Sequence, residues 1–263
     1  MMKMIKIAII CIVVFAYDCQ AQYKAQYKID YIPNLETKKV RTENTLLHIT
    51  SNQMSFFASE NTYKQDSLMK LVEEGKIPPF YNSKSKLPQT RLHFLVEKYY
   101  ESKKIRVSNN STSYNYIYSN KNTLVWQLKS DTEKISNYLC NKATTTYEGR
   151  NYIAWYTTEI PIADGPYKFW GLPGLIIKIH DTENHYIFTL VNFQKYSGNP
   201  PPKLFQDLKP LELSYEKFKI LNKEYIENPL KMLEEDGGRI VSIEGKNSSE
   251  YKSKKIPNPI ERY

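Results

Sequence analysis

The sequence predicts a mainly β protein, built as a curved antiparallel meander sheet or half-barrel with a few short helices. Its 263 residues include 22 Tyr and only 9 Gly. Aromatic side chains pack well on pleated surfaces, so this imbalance favours strands. Apolar and polar residues also alternate in short segments that are separated by polar turns. Strands that follow one another so closely are expected to pair in sequence order and antiparallel.

The first half of the chain contains strands and one predicted helix. Alternation from Tyr23 to Tyr31 predicts the first strand, and the pattern around Phe56 predicts another. A helix is predicted from Ser67 to Glu74, where Asp66 can cap its start and Gly75 ends it. After a Pro-rich loop, the next two strands are centred on Phe94 and Tyr116.

The second half continues this pattern up to a C-terminal helix. Asn120–Asn122 and Ser130–Asp131 predict turns between strands. Ser214 can cap a helix from Tyr215 to about Glu227. The strands of this half are predicted around Trp126, over Ile135–Ala143, around Ala154, and over Leu175–Ile179 and Tyr186–Val191.

The N-terminus has the pattern of a targeting segment. Lys3 and Lys6 precede ten apolar residues, Ile7–Ala16, which are too few to span a membrane and typical of a secretory signal peptide. We therefore predict a signal peptide over residues 1–21 and a single β-rich domain over residues 22–263, with a polar C-terminal tail. Lipidation at Cys19 is the alternative, but Asp18 stands where lipoprotein signals want a small residue.

Export would leave one cysteine and a basic chain. Loss of residues 1–21 removes Cys11 and Cys19, so Cys140 remains without an internal disulfide partner, and we expect it to be buried and inert. The net charge of +9 falls to +8, which favours anionic partners such as lipid headgroups, although a solvated surface explains it equally. The Lys and Arg residues are scattered rather than clustered, so we expect no nucleic-acid partner.

The most specific sequence of the chain lies between Asn151 and Asn192. Gly165–Pro166 predicts a bend, and Pro173–Gly174 predicts a type II turn, because Pro presets the second position and Gly permits a positive φ at the third. Here the chain closely resembles the GLPGLI family of exported Gram-negative bacterial proteins, whose name is the hexapeptide Gly171–Ile176. Other features that match the family are Cys140–Thr144, Gly149–Arg150, Ala154–Thr157, Glu159–Ile162 and Asn258–Glu261.

The resemblance implies a location and a setting rather than a reaction. Members of the family are exported to the periplasm or the outer-membrane periphery, and they often accompany outer-membrane transport systems. No catalytic or ligand-binding residue can be carried over from the family. The order of strands is also similar, in architecture alone, to periplasmic lipoprotein carriers of the LolA type, which are open half-barrels that hold acyl chains.

The predicted hairpin after the hexapeptide carries a candidate metal site. A four-residue loop would place His180 and His185 opposite each other, with Asp181 beside them, and cross-strand Cβ atoms lie about 5 Å apart. Two imidazoles and a carboxylate are a metal ligand set. The alternative interpretation is a polar hairpin tip. Because common nucleotide-binding and hydrolase motifs are missing from the sequence, we assign no cofactor and no catalytic residue.

Aromatic side chains around the hexapeptide suggest a binding site. Tyr167, Phe169 and Trp170 precede Pro173, and Trp155 lies in the preceding strand. Aromatic residues beside a rigid bend can form an apolar lip for a ligand or partner. The alternative is that the bend only launches the next strand. Asp164, beside Gly165, similarly either pairs with Glu159 as a catalytic carboxylate or stabilises a turn.

Three functional hypotheses follow. The favoured one is an exported, non-enzymatic binding or accessory protein of the cell envelope, which assists an outer-membrane transport protein or binds a lipid-like or peptide ligand. The alternatives are a periplasmic hydrolase, assisted by a metal at the candidate site, and a structural envelope protein. An open groove on the concave face of the sheet favours the first hypothesis, and a filled concave face favours the third.

Overall fold

A computed structural model describes most of the chain. The described residues are 22–51, 53–79, 87–110, 115–121, 123–197, 204, 209–227 and 258–262. The predicted signal peptide with Cys19, and the predicted tail over Gly245–Lys255, lie outside these residues.

The protein is mainly β, as predicted. The helices are α1 (Glu60–Glu73) and α2 (Tyr215–Glu227). The strands are β1 (Gln22–Tyr31), β2 (Arg41–Ile49), β3 (Met54–Ser59), β4 (Phe94–Tyr99), β5 (Lys104–Asn110), β6 (Asn115–Lys121), β7 (Gln127–Ile135), β8 (Tyr138–Tyr147), β9 (Arg150–Thr157), β10 (Leu175–Asp181), β11 (Tyr186–Tyr196) and β12 (Leu211–Leu213).

The strands form one 12-stranded sheet made of two meanders. Its order is β12-β6-β5-β4-β3-β2-β1-β11-β10-β9-β8-β7. The chain therefore runs from β1 outward to β6, crosses to the far edge, and returns from β7 to β11, which pairs antiparallel with β1. The short strand β12 pairs in parallel with β6, so the sheet is mixed rather than purely antiparallel.

The connection between β6 and β7 shows that the sheet is strongly curved. The two strands lie ten positions apart in the sheet order, which in a flat sheet is about 48 Å. Only five residues separate Lys121 from Gln127, and such a chain spans at most about 22 Å. The two halves must therefore curl toward each other. Among the described residues the sheet does not close, because β7 pairs only with β8.

The first helix begins earlier than predicted. The side chain of Ser59 accepts a hydrogen bond from the Asn61 amide and caps α1 about two turns before the expected cap at Asp66. The prediction missed this start because the first turns carry few apolar residues. The predicted end is confirmed, since Gly75 follows with φ +68°. Ser214 accepts from the Lys217 amide at the start of α2, as predicted.

The turn predicted at Ser130–Asp131 is wrong. Both residues lie inside β7, where the pairing with β8 shifts between Leu128 and Thr132. The irregular residues are accommodated as a local bulge rather than a chain reversal. The reversal falls at Ser136, which has φ +55° and separates β7 from β8 within the strand that was predicted to run unbroken.

The main core lies on one face of the curved sheet, and a smaller cluster lies on the other. The larger cluster includes Tyr27, Phe57 and Phe188, which are nearly inaccessible to solvent. On the opposite face, α1 packs over β2 and β3 with Tyr63 against Leu46. None of the described helices is long and apolar enough to cross a membrane.

His48 should make the stability of the fold depend on pH. Its ring packs against Tyr63 and Tyr196, with centroids 5.3 and 5.4 Å away. Burial, and then the charge of Lys24, lower the pKa of His48 to about 4. The unfolded chain therefore binds one more proton between pH 4 and 6.5, and stability falls as the pH drops through this range.

We expect His48→Gln to reduce this pH dependence. Denaturant unfolding at several pH values should show wild-type stability falling by on the order of 2 kcal/mol more than that of the variant between pH 6.5 and 4. Above pH 7 the stability of wild type and of the variant should change with pH in parallel, because the His48 imidazole is then neutral in both the folded and the unfolded chain. Equal losses below pH 6.5 would contradict this role of His48.

Candidate functional site

The loop between β9 and β10 fills the concave side of the sheet. We call this loop, residues 158–174, the plug. Its central residues, from Asp164 to Trp170, are all buried. Phe169 is completely inaccessible and packs on Tyr152 with ring centroids 4.6 Å apart. The Nε1 group of Trp126, in the connection between the two meanders, donates to the Trp170 carbonyl at 2.9 Å.

Two glycines let the plug approach the strands that flank it. A Cβ at Gly165 would lie 2.6 Å from the Cδ1 atom of Ile176. A Cβ at Gly174 would overlap the Thr157 carbonyl oxygen, and Gly174 has φ +156°. Both glycines are therefore required by close packing.

The bend at the hexapeptide differs from the predicted type II turn. The Leu175 amide donates to the Ile160 carbonyl at 3.0 Å instead of closing back on Leu172. The Gly174 amide donates to Leu172 at 2.8 Å, which makes a tighter three-residue turn around the exposed Pro173. At the other bend, Pro166 accepts from the Phe169 amide at 3.1 Å.

A buried ion pair fastens the plug to β4. The Lys98 ammonium group donates to the Asp164 carboxylate and to the Gly165 carbonyl, the latter at 2.6 Å, and both charged side chains are fully buried. The hydroxyl of Tyr100 donates to the second oxygen of Asp164. Burial lowers the pKa of Lys98, and the charge of Asp164 opposes that shift. Asp164 thus stabilises the plug, and it does not pair with Glu159.

A second buried ion pair joins the plug to the end of the chain. Lys168 donates to the Glu261 carboxylate and, at 2.7 Å, to the Tyr118 hydroxyl. The Tyr167 hydroxyl donates to the same carboxylate at 2.7 Å. Tyr167 has φ +54°, a strained conformation for a bulky residue. Its hydrogen bond to Glu261 and its burial hold it in that conformation.

Arg150 anchors the C-terminal segment, residues 258–262, at the rim of the sheet. Its guanidinium donates to the Asp181 carboxylate at 2.6 Å, to the Asn258 side chain, and to the Pro259 carbonyl at 2.7 Å. The Tyr186 hydroxyl donates to the Asn258 carbonyl at 2.6 Å. These bonds satisfy a charge that is almost entirely buried.

A cavity of about 150 Å³ remains where β5, β6, α2, the plug and the C-terminal segment meet. Its aromatic wall consists of Phe94, Tyr116, Tyr118, Tyr167 and Phe218. Its polar side chains are Asn109, Asn222 and Glu261. Tyr118 and Phe218 stack with ring centroids 4.1 Å apart. The side-chain amide oxygen (Oδ1) of Asn109 has no hydrogen-bond partner among the described residues.

The cavity involves only one of the predicted binding residues. Tyr167 lines it, whereas Phe169 and Trp170 lie in the core, and Pro173 is exposed elsewhere. Trp155 is half-buried and lies within 5.7 Å of the Lys142 ammonium group. The expected lip of these five aromatic and proline side chains is therefore not assembled in one place, and ligand binding by any of them stays a prediction.

The hairpin places the predicted metal ligands differently from the expectation. The register sets His180 opposite Ile187 and not His185, because β10 extends to Asp181. Among the described residues, Asp181, Glu183 and His185 do bring one ligand atom each within 4.8 Å of one another. Two guanidinium groups already neutralise these carboxylates: Arg150 contacts Asp181, and Arg262 contacts Glu183 at 2.7 Å.

Sequence reasoning missed the residues that organise this region. Lys98, Arg150 and Lys168 sit in strands or loops with no motif that marks them as buried cations. Arg150 and Glu261 do occur in the family-like segments Gly149–Arg150 and Asn258–Glu261. Those two matches were the only sequence signal that pointed to Arg150 and Glu261. They could not reveal that the segments meet, because 108 residues separate Arg150 from Asn258.

Cys140 is buried, as expected. Burial raises the pKa of its thiol to about 11, and a backbone hydrogen bond opposes that shift. The thiol is therefore protonated at neutral pH, which makes it a poor nucleophile.

Comparison with known proteins supports the resemblance and the fold. The model of a family described as "Protein of unknown function (Porph_ging)" matches residues 146–178. A search of the curated proteins finds no match. Two solved structures share the fold: "Structure of PNGF-II in C2 space group", with TM-score 0.53, and "Structure of PNGF-II in P21 space group", with TM-score 0.52.

These structural likenesses bear on the fold alone. Each is 14% identical to this chain and covers 76% of it, but only 32% and 33% of the respective solved chains. The chain thus spans about a third of the length of the solved proteins that it matches.

We expect the Lys98–Asp164 pair to be essential for stability. Lys98→Met or Asp164→Asn leaves an uncompensated buried group and should lower the free energy of unfolding by about 3–5 kcal/mol in denaturant titrations. The double variant Lys98→Met/Asp164→Leu should recover part of that loss. Lys142→Met is the matched control, because Lys142 pairs with exposed Asp131 at 3.5 Å. It should cost less than about 1 kcal/mol.

The metal site has its own test. Zinc would have to displace Arg262 from Glu183, so Arg262→Ala should bind zinc more tightly than wild type in a calorimetric titration. His185→Ala in that background should abolish the binding, whereas His180→Ala should not affect it. Absence of zinc binding in wild type and in Arg262→Ala would rule out a metal site at Asp181, Glu183 and His185.

Proposed function

Residues 146–178 carry the signature segment of the Porph_ging family, the GLPGLI family, and from this premise we propose that the protein is a non-enzymatic binding protein of the cell envelope. Its ligand site is the aromatic cavity beside α2. It recognises a ring-sized group on a polypeptide, and it serves as an accessory to an outer-membrane transport system.

The observation that carries this proposal is the composition of the cavity wall. Binding sites combine an apolar or aromatic lining with a few polar groups that orient the ligand. The cavity has five aromatic side chains together with Asn109, Asn222 and Glu261. It lies at the edge of the fold, between α2 and the C-terminal segment, where a ligand can reach it without unfolding the sheet.

The size of the cavity favours a side chain over an acyl chain. Its volume of about 150 Å³ equals that of an engineered protein cavity that takes up benzene. One six-membered ring therefore fills it. A long acyl chain would need an extended apolar groove, and the plug occupies the concave face where LolA-type carriers would hold such a chain. A phenol or indole also carries a donor for the polar side chains of the wall.

The cell-envelope setting rests on the predicted signal peptide and on the family resemblance. An extracytoplasmic protein with a single buried thiol can keep its fold under oxidising conditions, because it has no second thiol with which to form a wrong disulfide. The ion pair of Lys98 and Asp164 is fully buried, so it offers no support for the hydrolase alternative.

Filling the cavity tests the proposal. Asn222→Phe places a ring in the cavity from α2, and the matched control is Ile220→Phe, because Ile220 lies on the same helix and is 67% exposed. The probes are p-cresol, indole and hexanoate, and binding is read by NMR shifts of the aromatic side chains. We expect p-cresol and indole to bind wild type and Ile220→Phe, and to bind Asn222→Phe at least tenfold more weakly.

Three outcomes would decide against the proposal in different ways. If hexanoate bound more tightly than p-cresol and indole, the ligand would be lipid-like rather than a peptide side chain. If p-cresol and indole bound Asn222→Phe as tightly as wild type, the ligand site would lie outside this cavity. No binding of any probe to wild type would favour the structural envelope protein, for which a filled concave face is expected.

A further inference from the structure

The outer face of the second meander is left uncovered by the described helices. In the first meander, α1 covers the outer face of β2 and β3, with Tyr63 against Leu46. Neither described helix makes an extended contact with β8, β9 or β10. In the middle of these strands the outer-face side chains, such as Ile153, Trp155 and Lys178, are partly exposed, whereas Tyr152 and Ala154 on the opposite face are buried.

One cross-strand row on this face combines a tryptophan with three lysines. Directly paired residues of neighbouring strands point to the same side of a sheet. The pairing register connects Lys142 to Trp155, Trp155 to Lys178, and Lys178 through Thr189 to Lys28. The indole therefore has a lysine on each side, and the Lys142 ammonium group lies 5.7 Å from its centroid.

The adjacent row adds apolar side chains. Ile153 pairs with His180, and His180 pairs with Ile187. Ile153 and Ile187 are half-buried, like Trp155. The face thus has an apolar centre of Trp155, Ile153 and Ile187, with lysines around it.

The lysines are available to an external anion. Lys178 has no ion pair among the described residues. Lys28 contacts Asp30 at 2.8 Å and Lys142 contacts Asp131 at 3.5 Å, but both pairs are partly exposed to solvent. Exposed pairs contribute at most about 1 kcal/mol, so a phosphate can replace the carboxylate at little cost. The net charge of +9 would attract an anionic surface from a distance.

We propose that this outer face binds the surface of an anionic lipid bilayer. Trp155, with Ile153 and Ile187, enters the headgroup region, where an indole is favoured because one edge is apolar and its N–H is polar. Lys28, Lys142 and Lys178 contact lipid phosphates. The site lies on a different part of the molecule from the aromatic cavity, and it does not depend on the function proposed for the cavity.

The test uses sedimentation with vesicles of phosphatidylcholine alone and of equal parts phosphatidylglycerol and phosphatidylcholine. The full chain should bind the anionic vesicles and not the neutral ones. Lys178→Ala should bind about fivefold more weakly, and Trp155→Ala about tenfold more weakly. Lys76→Ala is the control, because Lys76 also has an exposed acidic partner but lies beyond α1, and it should bind like wild type.

A second measurement distinguishes a membrane from a soluble polyanion. Lipids brominated near the headgroup should quench wild-type fluorescence, and Trp155→Phe should remove most of the quenching while the protein keeps its melting temperature. Undiminished quenching of Trp155→Phe would overturn the proposal. So would unchanged vesicle binding of Trp155→Ala together with full competition by inorganic polyphosphate, because that outcome indicates a charge contact without insertion.

Discussion

The interior of this protein depends on the buried ion pair between Lys98 and Asp164. Lys98 lies in the first meander and Asp164 in the plug that leaves the second, 66 residues later. The pair therefore joins the two meanders across the concave side of the sheet. Water is excluded from both charges. Moving one group away would therefore leave the other as an uncompensated buried charge, which is strongly destabilising. This constraint keeps the plug inside and keeps the curvature that the short β6–β7 connection requires.

The family signature is explained by the burial of this loop. The matched segment, residues 146–178, contains the end of β8, all of β9, the plug and half of β10. Gly165 packs against Ile176, and Gly174 packs against the Thr157 carbonyl, so these two glycines are required where two chain segments touch. Arg150 then binds the C-terminal segment that covers the rim. Most of the signature thus specifies how a loop is packed, and within the plug only Tyr167 also lines the aromatic cavity.

In the part of the chain that the structure describes, the plug fills the concave face, and the two sites proposed for other molecules lie at the periphery. The aromatic cavity lies at the edge, where the C-terminal segment and α2 leave a ring-sized space. The basic outer face lies on the other side of the same strands whose inner faces hold the plug. A protein of this design can contact a bilayer with one surface and a partner with another, since neither contact disturbs the core.

The sequence alone determined the local features of this protein, and the tertiary structure decided where they meet. Alternating tyrosines predicted the strands, and Ser214 predicted a helix start, because both signals act over a few residues. The family hexapeptide could likewise be recognised directly in the sequence. The sequence could not predict that Tyr167 lines a cavity while Phe169 and Trp170 fill a core. Nor could it predict that His180 faces Ile187, or that Lys98 pairs with Asp164. Each of these facts depends on strand register and sheet curvature, which arise from contacts between residues far apart in the chain.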